Sequence, residues 1–182
     1  ETPCKPGQRH ADVVLVIDTS SSMAGAKIAA ARTAARRFID LLDLPRDQVG
    51  LVVFDETARV AAPLGASAAA LGAAIDALTT QTGTRIDRGL ERGVEVLGGA
   101  AARPGNVPAL VLLTDGRQPD EARAVAVADA ARAAGTRLYA IGLGDDVDLE
   151  FLTRLTGDSG RAFRAPQPAD LERIYAQIAI AV

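Results

Sequence analysis

The chain has one cysteine, one histidine and no tryptophan among its 182 residues. With Cys4 alone, no disulfide can form within this sequence. His10, the only histidine, precedes the first apolar run and is expected in a solvated tail, so a Ser-His-Asp hydrolase would lack its base. Aromatic residues make up only 3%, which leaves Val, Leu, Ile and Ala to build the core. Basic charge is not in excess. The 20 Lys and Arg against 23 Asp and Glu give a net charge of −3 and a pI of about 5.2, which argues against a broad nucleic-acid-binding face. No apolar run approaches the length of a membrane span, and no basic-then-apolar signal stretch stands within the sequence. No GxxxxGK[ST] phosphate loop is present, and "GLGDD" at 142–146 follows a late strand and lacks a third glycine.

The residues that are present organise into one domain. Hydrophobic residues make up 48%, enough for a packed core at this length. Residues 1–11 read as a polar tail and 12–182 as the folded unit. Near-continuous apolar runs at 12–18, 48–54, 108–116 and 137–144 suit buried parallel strands. A shorter run at 58–64 follows "DET" and reads as the second strand of a hairpin, with Pro63 suited to an edge; a sixth strand is predicted near 161–165. Between them, apolar spacing predicts helices over 27–42, 67–78, 85–97, 119–134, 148–156 and 168–181. In the first, Ile28, Ala31, Ala35, Phe38 and Leu42 form one stripe, with Lys27 largely off it. The alternation predicts a three-layer, Rossmann-like α/β sandwich: a mostly parallel six-stranded sheet, one antiparallel edge strand and helices on both faces.

Two of the buried runs end in a carboxylate. "LVIDTSSSM" delivers Asp18 followed by Ser20 and Ser22, and "LVLLTDG" delivers Asp115. Ligands in doubly wound sheets bind beyond the carboxyl ends of the strands, where strand order reverses. If these two strands are neighbours there, both aspartates meet in one crevice. Thr84, after Gly83 in "QTGTRID", adds a third hydroxyl. Two carboxylates and three hydroxyls form an all-oxygen donor set, which suits Mg²⁺ first and Mn²⁺ or Ca²⁺ second. Hydroxyls add no charge, so such an ion would still attract an anion. Taken singly, Ser20, Ser22 and Thr84 would each read as a helix cap, and "TDG" as an ordinary turn.

Together, "DTSSSM", "TGTRI" and "LLTDG" resemble the metal-ion-dependent adhesion site of von Willebrand factor type A domains, over nearly the whole chain from about 12 to 181. The resemblance implies that Ser20, Ser22 and Thr84 bind the metal through hydroxyls, and that Asp18 and Asp115 act directly or through water. It further implies that a partner's Asp or Glu carboxylate completes the shell. Ser21 stands where the family often has Gly. Met23, Arg85 and Arg117 are expected on the ligand-binding rim, where the arginines would steer an acidic partner. Some extracellular relatives tie the two ends of the domain by a disulfide, so Cys4 is expected to pair with a cysteine beyond Val182. With the start at Glu1 rather than Met, this favours an extracellular or bacterial-surface setting within a larger protein.

The implied function is divalent-metal-dependent protein binding and adhesion, with no catalysis, no nucleic acid and no membrane insertion by this segment. Two alternatives remain: a cytoplasmic adaptor working with a ring ATPase through the same site, and a metal-dependent phosphohydrolase. The second lacks a general base and a nucleophilic aspartate motif.

Overall fold

The computed structural model describes residues 9–116 and 118–182, so Cys4 and Arg117 lie outside the described residues. Strand β1 (Ala11–Asp18) is buried at every position, as is β2 (Gln48–Phe54). Strand β3 (Ala58–Ala62) is short and mostly exposed, as a sheet edge requires. Strands β4 (Val107–Thr114), β5 (Arg137–Leu143) and β6 (Ala162–Ala165) complete the sheet. The order is β3-β2-β1-β4-β5-β6. Only the β2–β3 pair is antiparallel, in accord with the hairpin and the α/β class expected from the sequence.

Side chains alternate across the sheet, so each strand serves two cores. Val13, Leu15 and Ile17 face one of them, and Val14 and Val16 the other. The helices are α1 (Ala26–Leu41), α2 (Ala68–Asp76), α3 (Ile86–Leu97), α4 (Glu121–Ala133), α5 (Leu149–Thr156) and α6 (Leu171–Ala181). The first core takes α1, α2 and α6, and the second takes α3, α4 and α5. Helix α1 buries Ile28, Ala31, Ala35 and Phe38 as its spacing predicts, with Ala34 and Ile39 widening the stripe. Leu42 falls just past the helix and is half-buried. The ring of Phe38 meets Tyr175 of α6 edge-on, with centroids 5.9 Å apart. Helix α3 lies close on the sheet because a Cβ at Gly89 would come within 2.6 Å of the Phe54 ring.

Local chemistry sets the ends. Helices α2 and α4 begin after Ser67 and Asp120, whose side chains accept from the backbone N–H of Ala70 and Arg123. The last helix starts later than its spacing predicts, because Pro168–Asp170 form a separate 3₁₀ turn. His10 is not in a free tail. Its Nδ1 lies 3.3 Å from Asp47 Oδ1, and its carbonyl accepts from Val107 N–H at 2.8 Å. The chain is therefore held from just before β1 by the loop that leads into β2.

Candidate functional site

The strand order reverses between β1 and β4. From β1 the chain leaves towards β2, and from β4 towards β5. Asp18 ends β1, and Asp115 directly follows β4. The parallel register that pairs Ile17 with Leu113 brings the two ends side by side. The conditional meeting of the two carboxylates is thus met at the switch point.

After Asp18 the chain turns into a 3₁₀ turn at Ser21–Met23. Ser20 Oγ and Ser22 Oγ lie 3.0 Å apart, and Ser22 Oγ donates to Asp115 Oδ1 at 2.7 Å. Neither serine caps a helix through its side chain: none caps the 3₁₀ turn that Ser20 precedes, and α1 begins after Gly25. The Thr19 hydroxyl belongs to the fold, donating to the Phe54 carbonyl at 3.0 Å.

Thr84 comes from the loop before α3, which is pinned on two sides. Gln81 N–H donates to the Thr19 carbonyl at 2.8 Å, and Arg85 N–H to the Asp55 carbonyl at 2.8 Å. Gly83 sits at φ +94°, where a Cβ would come within 2.7 Å of Glu56 N, so the close approach requires glycine. The Thr84 side chain lies beside the loop after β4, its Cγ2 3.7 Å and its Oγ1 3.9 Å from the position a Cβ on Gly116 would take. Among the described residues no hydrogen bond links Thr84 to the two aspartates.

Asp18 is fully buried. Oδ1 accepts from Ser20 N–H at 2.8 Å and Oδ2 from the Thr114 hydroxyl at 2.7 Å. Burial pushes its carboxyl above the usual range. Hydrogen bonds from Ser20 and Thr114 oppose this without cancelling it, and the nearby Asp115 adds to the rise. No described cationic side chain pairs with Asp18, whereas Lys27 Nζ donates to Asp115 Oδ2 at 2.6 Å. An uncompensated buried carboxylate beside two hydroxyls and a second carboxylate is chemically suited to a small hard cation. Among the described residues, no three His, Cys, Asp or Glu side chains group as a metal cluster, because this donor set relies on hydroxyls.

Of the rim expectations, Met23 needs correction. Met23 is fully buried in the core under α1, because it is the one large apolar residue of its turn. The guanidinium of Arg85 grips Asp87 through two bonds of 2.9 and 2.7 Å, and the side chain stays partly exposed. Arg117 lies outside the described residues. Sequence reasoning missed three contributors. Thr114 bonds Asp18, and its position beside Asp115 in "LLTDG" could have flagged it. Lys27 read only as a residue largely off the helix stripe. Gln118 Oε1 accepts from Asp87 N–H at 2.8 Å, tying the Asp115 loop to α3.

The von Willebrand factor type A domain model matches residues 12–177. The chain belongs to that family. It is 32% identical to matrilin-3 of Mus musculus over 82% of this chain and 32% of that protein. It thus spans about a third of the length of that relative. Among solved structures, mussel byssus proximal thread matrix protein 1 with a zinc-occupied MIDAS motif superposes with a TM-score of 0.81 at 22% identity, over 94% of this chain and 46% of that one. The vWF domain of the type V pili tip protein Mfa5 from Porphyromonas gingivalis gives 0.83 at 17% identity, over 95% of each chain. At these identities the two structures speak for the fold.

Proposed function

We propose that residues 12–182 form a protein-binding module of adhesion type, which captures an Asp or Glu side chain of a partner through a bound divalent cation. One observation carries this reading. Asp18 and Asp115 converge at the switch point with the hydroxyls of Ser20 and Ser22, and Asp18 is a buried carboxylate without a described cationic partner. Ser20, Ser22, Thr84, Asp18 and Asp115 would hold the ion, Mg²⁺ first and Mn²⁺ or Ca²⁺ next. Bound there, the ion would supply a Lewis-acidic coordination position for a carboxylate. The zinc-occupied motif of the mussel relative supports a metal at this place in the fold. The pili tip protein that shares this fold supports a surface setting. No described helix is long and apolar enough to cross a membrane.

Binding rather than turnover fits the site. The only histidine, His10, bonds Asp47 at the end of β1 remote from Asp18, so no imidazole base stands at the crevice. Calorimetric titration of Mg²⁺ and Mn²⁺ into the wild type and Asp18→Ala tests the reading. The wild type should bind one ion and the variant should lose binding while keeping its circular dichroism spectrum. Equal affinities would remove Asp18 from the site. Capture of acidic partners that persists unchanged in EDTA would remove the metal from the mechanism.

A further inference from the structure

Lys27 stands in the first turn of α1, one residue after its start. The partial positive charge of a helix N-terminus makes that a costly place for an ammonium group. No acidic residue occupies the same turn to offset it. The group is instead held by Asp115, whose side chain is fully buried while that of Lys27 remains 35% exposed. Both oxygens of Asp115 are therefore engaged, Oδ1 by the Ser22 hydroxyl and Oδ2 by the Lys27 ammonium. Asp18, at the end of β1, has no such cation among the described residues. The crevice thus carries two carboxylates and one built-in positive charge.

We infer that Lys27 is an internal competitor for the metal, a residue that lowers the site's affinity for a divalent cation by holding Asp115. This inference rests on the metal-binding reading above. With two carboxylates alone, a divalent ion would be neutralised. With Lys27 present, the loaded site keeps one positive charge in excess. That charge weakens retention of the ion and strengthens attraction for an anionic group arriving from solution. The lysine thereby couples metal retention to capture of a carboxylate. The long apolar stem lets the ammonium move aside towards water without disturbing α1.

Mg²⁺ titration calorimetry on the wild type, Lys27→Met and Lys27→Arg tests this, together with thermal unfolding of each in EDTA. Lys27→Met keeps the length of the stem and removes the charge. It should bind Mg²⁺ about tenfold more tightly than the wild type. In EDTA it should melt at a lower temperature, because Asp115 loses its cation. Lys27→Arg should stay near the wild type in both measurements. If Lys27→Met folds poorly, Lys27→Gln, which keeps a donor for Asp115, should show the same tighter binding. Equal or weaker Mg²⁺ affinity in the uncharged variants, with the wild type still binding, would overturn the role of Lys27 and leave the metal site standing. No binding by any of these proteins, with Mn²⁺ as well, would overturn both.

Discussion

Strand β1 carries a buried aspartate near each end, and the two have different surroundings. Asp12, at the start, accepts from Gln48 Nε2 at 3.0 Å, Asn106 Nδ2 at 2.8 Å and Arg103 N–H at 2.8 Å. Its donors come from β2 and from the segment that leads into β4, so it laces three stretches of chain together. Asp18, at the finish, is bonded by Ser20, through its N–H and its hydroxyl, and by the Thr114 hydroxyl, with no cation among the described residues, and burial raises its carboxyl above the usual range. Both lie on the same face as Val14 and Val16, so the strand geometry is common to them. The difference lies in what surrounds the carboxylate. A carboxylate whose donors come from distant stretches of chain ties the fold together, whereas one bonded by its neighbours at a strand end, with its burial uncompensated, retains capacity for a ligand.

The comparison breaks most visibly at Asp12. Asp12→Ala removes three hydrogen bonds, leaving Arg103 N–H without its acceptor while Gln48 and Asn106 keep the carbonyls of Ala101 and Arg46, and should cost about 3 kcal/mol in urea unfolding, with metal affinity unchanged. A cost under about 1 kcal/mol would show that the lacing contributes little.

A third buried aspartate sharpens the contrast. Asp87 is fully buried, gripped by Arg85 in two bonds and by Arg123 at 3.0 Å. The Arg85 guanidinium holds its carboxyl below the usual range, against the opposing effect of burial. A lowered folded value means that Asp87 stabilises the protein above the ordinary carboxylate pKa. That contribution fades as the pH falls through about 3.9 towards the folded value. Asp87→Asn should lose about 2 kcal/mol at neutral pH and show a flatter acid limb between roughly pH 5 and 2. Parallel acid limbs in wild type and variant would assign the slope to other carboxylates.

At Asp18 the expected sign reverses. In EDTA, Asp18→Asn removes a desolvated charge and should gain about 1 kcal/mol of stability, while abolishing Mg²⁺ binding. Loss of stability would place Asp18 with Asp12 as a structural group. The smallest effect is expected at Tyr175. Its hydroxyl is buried with no partner among the described residues, and burial raises its pKa well above the ordinary phenol value. Tyr175→Phe should be neutral or stabilise by up to about 1 kcal/mol, since the ring keeps its edge contact with Phe38. Thermal unfolding of the two proteins side by side reads this out.

The contrast between Asp12 and Asp18 was only half legible in the sequence. Asp18 announced itself through its neighbours Ser20 and Ser22, whereas Asp12 only opens the apolar run at 12–18. Its donors lie 36 to 94 residues away, so no local pattern could reveal them. Met23 was misplaced for a related reason. A residue beside a site can face the core or the solvent, and local spacing does not distinguish the two inside an irregular turn. Lys27 was legible as a charge off the helix stripe but not as a partner of Asp115, 88 residues on.

By itself the sequence determined the elements, their α/β order and the residue types gathered after β1, before α3 and after β4. Period and composition act over a few residues, and a hydrophobic run or a glycine between polar neighbours means much the same wherever it occurs. The tertiary structure alone decided that β1 and β4 are neighbours, that Asp18 is left without a described cation and that Lys27 holds Asp115. Those facts depend on which distant groups share a buried volume, and in a low-dielectric interior that sharing determines whether a carboxylate stabilises the fold or remains available to a ligand.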